Sequence, residues 1–213
     1  MKFNKLLNHV FSGPSQIAVL RALYLHKSGI SGRETSRIAG ISPKAALQAL
    51  TGLEILKIVN RVIGGRDHLF TLNRENYIVK NGIIPLLNSE NSMLDTLLAN
   101  IKKHISKYSL SIILFGSVAR GEEISSSDLD ILIVIKETVS EKEVFDKLAL
   151  LRSGSEEVYG VHISPLILTL KKFRKLYKSD SVLIKSLRTD GKVIYGKNIN
   201  GLLNDTQNKQ NKG

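Results

Sequence analysis

Phe115-Gly116-Ser117-Val118-Ala119-Arg120-Gly121, followed by Ser127-Asp128-Leu129-Asp130-Ile131-Leu132-Ile133-Val134, is the stretch of this chain that decides its fold. The apolar run 110–115 predicts a strand that ends in a Gly-Ser turn and a short helix, and 129–135 predicts a second strand. Side chains two positions apart in a strand share a face, with Cα atoms about 6–7 Å apart, so Asp128 and Asp130 point together. Beyond Asp130 the strand is apolar on both faces, the pattern of a strand covered on both sides, which sets the two carboxylates at the edge of a core. Partly desolvated like charges need a counter-charge there. A hard divalent cation, Mg²⁺ or Mn²⁺, supplies it through oxygen ligands, whereas the alternative is a solvated strand start whose acids hold nothing. Gly116, without a Cβ, allows a tight turn and close approach of a phosphate, and Ser117 offers a hydroxyl and an N–H at a helix start.

Gly116-Ser117, Ala119-Arg120-Gly121 and Ser127-Asp128-Leu129-Asp130 together resemble the signature of the minimal nucleotidyltransferases of the DNA polymerase β-like superfamily. That resemblance implies a compact mixed sheet flanked by helices. It also implies a nucleoside triphosphate, ATP, held by Gly116 and Ser117, with Mg²⁺ or Mn²⁺ on Asp128 and Asp130 as the catalytic pair. Arg120 either touches phosphate or pairs with Glu122 or Glu123. The family's chemistry is attack of an acceptor hydroxyl on the α-phosphate with release of pyrophosphate. A third carboxylate on a later strand is part of that pattern. Here the later strand is predicted at 158–163, after a helix over 140–152, and it holds no acid. Glu156 and Glu157 lie just before it, and His162 stands where an acid is expected. A lone His at such a place is either a packed structural residue or a ligand. Helical segments are predicted at 169–187, and the polar composition from residue 198 onward predicts a disordered tail over 198–213.

Upstream, apolar positions Ile17, Leu20, Leu23 and Tyr24 recur at helical spacing over 15–27. Ser31 sits three residues before Glu34, a capping-box spacing, in a short helix closed by Gly40. Ser42 then reads as an N-cap with Pro43 at the first helical position, and Ala46, Leu47, Leu50 and Leu53 form an inward face. Two β-runs, 58–63 and 68–72, flank Gly64-Gly65 as a hairpin. Three helices and a hairpin are the order of a winged helix-turn-helix, whose third helix reads the major groove. Ser42, Lys44 and Gln48 are its candidate base-facing residues, and Arg33, Arg37, Arg61 and Arg66 the candidate contacts to the DNA backbone. The same domain is open to use as a protein-interaction module. Phe3, Leu6, Leu7, Val10 and Phe11 fit either a homodimer contact or core packing.

The expected architecture is therefore α+β. Residues 1–74 form a winged helix-turn-helix, 75–107 a helical connector with a break at Pro85, and 108–197 a nucleotidyltransferase-like domain. The chain has 213 residues and 42% hydrophobic content, with a net charge of +12 that favours polyanions as partners. Residues 1–75 carry 11 basic and 4 acidic side chains against 20 and 15 in the remainder, so the excess is denser where DNA is expected. With no cysteine there is no disulfide framework or thiolate chemistry, which fits a cytoplasmic location. No apolar run approaches the roughly 18 residues of a membrane span or a signal-peptide core. Together with the resemblance, these features predict transfer of a nucleoside monophosphate to a hydroxyl acceptor, a toxin protein or a small molecule, by a protein that also binds DNA; the resemblance does not choose between the acceptors. A DNA-binding regulator whose second domain is inactive and senses nucleotide or a protein partner is the alternative.

Overall fold

The computed structural model describes residues 4–64, 67–179 and 181–204, which divide into two compact units, Met1–Ser92 and Met93–Gly213. In the first, α1 (Leu7–Val10) precedes α2 (Pro14–Leu25), β1 (Ile30–Ser31), α3 (Gly32–Ala39), α4 (Pro43–Ile55), β2 (Val59–Gly64) and β3 (Asp67–Leu72). The local signals for these helices are used as read. The Ser31 hydroxyl accepts from the Glu34 amide at 3.2 Å, Gly40 closes α3 in the left-handed region, and the Ser42 hydroxyl accepts from the Ala45 amide at 3.2 Å. The hairpin forms in the order β1-β3-β2, with β1 a two-residue strand, Ile30 and Ser31 facing Phe70 and Leu69, that the sequence pattern does not signal. This is a winged helix-turn-helix.

One detail differs from expectation, and one alternative is narrowed. Leu47 is 54% exposed, so the inward face of α4 is Ala46, Ala49, Leu50 and Leu53 instead. Its neighbours at 46 and 50 take the buried stripe, and one turn of helix cannot bury three adjacent directions against a thin domain. Near the start of the chain Val10 is fully buried and Leu6 and Phe11 pack on the core, which favours core packing over a free pairing face. Phe3, Gly65 and Arg66 lie outside the described residues.

A π-helical turn (Val79–Ile83) runs without interruption into α5 (Ile84–Ile105), Ile84 itself being helical, so the break expected at Pro85 is absent and the wider π-turn lies directly before the proline. Val79, Ile83 and Leu87 join the first core, whereas Leu97, Leu98, Ile101 and Ile105 join the second. No helix among the described residues is long and apolar enough to cross a membrane.

The second unit continues with β4 (Ser109–Leu114), α6 (Gly116–Arg120), β5 (Leu129–Ile135), α7 (Glu141–Tyr159), β6 (Ile163–Thr169), α8 (Leu170–Tyr177), α9 (Val182–Asp190), β7 (Lys192–Gly196) and α10 (Ile199–Asn204). Its mixed sheet has the order β6-β5-β4-β7, with β5 and β6 parallel and the other pairs antiparallel. Alternation splits the side chains between two layers. Leu129, Ile131, Ile133, Ile135 and Ile163 pack with α5 and α7, while Leu132, Val134, Leu166 and Leu168 pack with α8, α9 and α10. The fold is α+β, a small mixed sheet between helical layers.

Two expectations for this unit are corrected, and one element is added. The later strand is not 158–163: α7 runs on to Tyr159, Gly160 ends it at φ +65°, and the strand is Ile163–Thr169. Pro165 looks incompatible with a strand, yet β6 is at the sheet edge, where the missing N–H removes no ladder bond. Residues 192–196 form an unforeseen edge strand, β7. Within the stretch read as tail, 199–204 is a helix because Leu202 is buried on the second layer and its carbonyl accepts from the Arg174 guanidinium at 2.7 and 2.9 Å. Residues 205–213 lie outside the described residues.

Candidate active site and candidate DNA interface

The strands of the second unit bring the end of β4 and the starts of β5, β6 and β7 to one edge of the sheet. Pairing persists one step past β4, where the Phe115 amide donates to the Asp130 carbonyl at 3.1 Å, so the chain turns at Gly116 directly beside Asp130. Gly116 has φ +78°, and a Cβ placed on it would lie 2.3 Å from Asp130 Oδ2. Both the backbone conformation and the space demand glycine there. Ser117 follows in the first turn of α6, half-exposed. The approach to β5 is set by a turn in which the Ser127 hydroxyl accepts from the Ile124 amide at 2.9 Å and the Ser127 amide donates to the Ile124 carbonyl at 2.8 Å.

Asp128 is exposed and Asp130 partly buried. Burial, with the Asp128 charge beside it, pushes the Asp130 carboxyl above the ordinary aspartate range. The two acids therefore sense each other. No hydrogen bond or ion pair links either carboxylate to another group among the described residues. Two close, uncompensated carboxylates beside a glycine turn form a donor set suited to a magnesium-sized cation, which commonly uses one or two carboxylates and completes its shell with substrate phosphates and water.

Arg120 turns away from this pair. Its guanidinium donates to Glu122 at 2.7 Å and to Asp190 at 2.8 Å, and Asp190, whose side chain is 11% exposed, also accepts from the Ser186 hydroxyl at 3.3 Å. Of the two roles the sequence leaves open for Arg120, the structure displays the carboxylate pairing. Asp190, seventy residues away, carries no sequence signal for that contact.

Neither acid before β6 completes the site. Glu156, in the last turn of α7, is bonded to His162 Nδ1, and Glu157 is exposed. Among the described residues no group of three His, Cys, Asp or Glu side chains is arranged to hold a metal ion. The residue in register with Asp130 on the neighbouring strand is Ser164. Sequence reasoning missed it because the strand was placed too early. A signal was present: Leu129-Asp130-Ile131-Leu132-Ile133-Val134 and Ile163-Ser164-Pro165-Leu166-Ile167-Leu168 share one polar residue at the second position of an apolar run.

In the first unit Lys44, Gln48 and Leu47 are exposed together on α4, and Ser42 spends its hydroxyl on the cap. Arg33 is exposed and lines, with Leu47, Arg61, His68 and Phe70, a cleft of ≈ 390 Å³. Arg37 is paired with Glu34, its Nε donating at 2.9 Å, and Arg61 is paired with Glu54 and stacked 5.4 Å over Phe70. Arg66 falls among the residues not described.

Comparison with known proteins locates a family match in the same half of the chain. The nucleotidyltransferase domain model matches residues 96–188. A relative from Methanocaldococcus jannaschii that bears the name protein adenylyltransferase is 35% identical over 108 residues, covering 49% of this chain and 71% of the relative. A second so named, from the same organism, is 45% identical over 58 residues, covering 26% of this chain and 56% of the relative. Among solved structures, a toxin–antitoxin with AMP-PNP aligns with TM-score 0.34 at 19% identity, over 54% of this chain and 85% of that one. A predicted DNA-binding transcriptional regulator from E. coli aligns with TM-score 0.32 at 19% identity, over 41% and 84%.

Proposed function

The chain belongs to the nucleotidyltransferase-domain family, and from that premise we propose that its second unit transfers a nucleoside monophosphate, from ATP, to a hydroxyl on a protein acceptor such as a toxin. The observation that carries this reading is the contact between the Gly116 turn and the Asp130 carboxylate, with Asp128 beside it. Asp128 and Asp130 would hold Mg²⁺ or Mn²⁺, because a bound cation relieves their mutual repulsion. When bound, such an ion offsets the charge on the transferring phosphoryl group and on the leaving pyrophosphate. The Gly116 backbone gives phosphate an approach that any Cβ would close, and Ser117 supplies a hydroxyl and an amide at the same turn. ATP and a protein acceptor are favoured by the name of the M. jannaschii relatives. The layers of Ile131 and Leu132 behind the aspartates hold the pair rigid, so that the reacting groups meet in fixed geometry.

The first unit serves in this proposal as a DNA-binding module that presents Lys44 and Gln48 to base edges, with Arg33 at the backbone. Arg37 and Arg61 contribute only if DNA phosphate displaces Glu34 and Glu54. A second reading is supported by one observation, the lack of a third metal-holding group among the described residues: the second unit then binds nucleotide without transfer and regulates the DNA-binding unit.

Incubation of the pure protein with α-labelled ATP, Mn²⁺ and candidate acceptor protein tests the leading reading. Label on the acceptor that disappears with Asp128→Asn supports transfer. Nucleotide binding with no transferred label moves the assignment to the regulator.

A further inference from the structure

The parallel register of β5 and β6 pairs Leu129 with Ile163, Asp130 with Ser164 and Ile131 with Pro165. Residues in register on neighbouring strands lie about 4.8 Å apart and project to the same face. Leu129 and Ile163 are both buried in the layer under α5 and α7, so Asp130 and Ser164 face the other way together. Ser164 is half-exposed, and no hydrogen bond ties its hydroxyl to another group among the described residues. A small neutral oxygen thus stands immediately beside a carboxylate that already carries the repulsion of a second one.

The charge count has a direct consequence. Two carboxylates match one divalent cation, and a second cation close to the first would have to draw its anionic oxygens from the triphosphate alone, because Ser164 adds no charge there. Glu156 is bonded to His162, and the hydroxyl of Ser164 supplies dipole without charge. A site of this composition is also a weak trap for a bare cation, since most of the ligand oxygens must come from elsewhere.

Resting on the assignment of Asp128 and Asp130 as the cation-holding pair, we propose that Ser164 sets the metal count of the site: one divalent cation per chain, taken up together with the nucleotide's phosphates rather than held by the free protein. Ser164 is then the residue that separates this chain from a site able to hold two cations at once.

The test is Mn²⁺ binding to the full chain, followed by the electron paramagnetic resonance signal of free Mn²⁺, with and without ATP. Wild type is expected to take up little Mn²⁺ alone and one Mn²⁺ per chain with ATP. Ser164→Asp is expected to bind Mn²⁺ without ATP at least roughly tenfold more tightly than wild type and to take up a second ion with ATP. Ser164→Asn, of the same size but neutral, should gain neither. Uptake of two Mn²⁺ by wild type with ATP, or equal Mn²⁺ affinity of the Asp and Asn variants, overturns the inference alone. Absence of any ATP-dependent uptake by wild type, or uptake unaltered by Asp128→Asn, overturns the cation-pair assignment with it. Should Ser164→Asp fail to fold, the wild-type stoichiometry still decides.

Discussion

The two units handle charge in opposite ways. In the first, Arg21, Arg37 and Arg61 are each paired with a glutamate, Glu90, Glu34 and Glu54, so these charges are neutralised locally while the net basic excess of the unit remains. In the second, Arg120 is likewise consumed by Glu122 and Asp190, yet Asp130 at the start of β5 feels the like charge of Asp128 and has no ion-pair partner among the described residues. Exposed ion pairs contribute little to stability, so their loss or exchange is inexpensive. A partly buried carboxylate beside a like charge costs stability in its ionised form unless a proton or a ligand relieves it.

Several substitutions separate the two cases. Asp128→Asn should lower label transfer by at least about a hundredfold, in the range found when a metal or transition-state charge contact is removed, while circular dichroism and melting stay near wild type. Transfer within about twofold of wild type would break the contrast at its root.

Gly116→Ala should come next. The added methyl meets Asp130 Oδ2 in a backbone conformation that alanine resists, so we expect about 1–3 kcal/mol of destabilisation in urea unfolding, with loss of ATP-dependent Mn²⁺ uptake. Unchanged stability would show that the turn relaxes freely.

Asp130→Asn tests the cost of the uncancelled pair. Because the Asp130 carboxyl holds its proton more tightly in the fold than in the unfolded chain, its contribution is fully favourable below the ordinary aspartate range. It is lost as pH rises through the raised folded value. The Asn variant should therefore melt on the order of 2–4 °C above wild type at neutral pH without added metal, with the difference shrinking as pH falls below the ordinary aspartate range. A variant less stable than wild type at neutral pH reverses the sign and removes the argument.

The smallest effects belong to the first unit. Lys44→Ala should weaken DNA binding by roughly tenfold and lower the salt slope by about one, whereas Arg37→Ala, already neutralised by Glu34, should change affinity by less than about twofold. Equal losses in a gel-shift titration would mean that the Glu34 pair opens on DNA.

Much of this molecule is legible in short stretches. Ser31 with Glu34, Ser42 with Pro43, and Gly40 mark helix ends by hydrogen bonds that span three or four residues, so the pattern suffices to place them. The strand 129–135 is bounded by its own apolar run. By contrast, the boundary between α7 and β6 is not legible locally, because Val158 suggests a strand although it is 72% exposed at the end of a helix, and Pro165 argues against a strand that its edge position permits. Leu47 looks like core by spacing and is solvent-facing because its neighbours already fill the buried stripe.

By itself the sequence determined the local things: where α3 and α4 start, where α3 stops, and that a Gly-Ser turn follows a strand. Tertiary structure alone decided that Ser164 stands beside Asp130, that Asp190 claims Arg120, and that 192–196 closes the sheet as its edge. The physical reason is range. Capping and alternation are satisfied within a few residues, whereas the register of β6 on β5 is settled by burying Leu129 and Ile163 together across the nineteen residues of α7 and its flanking turns.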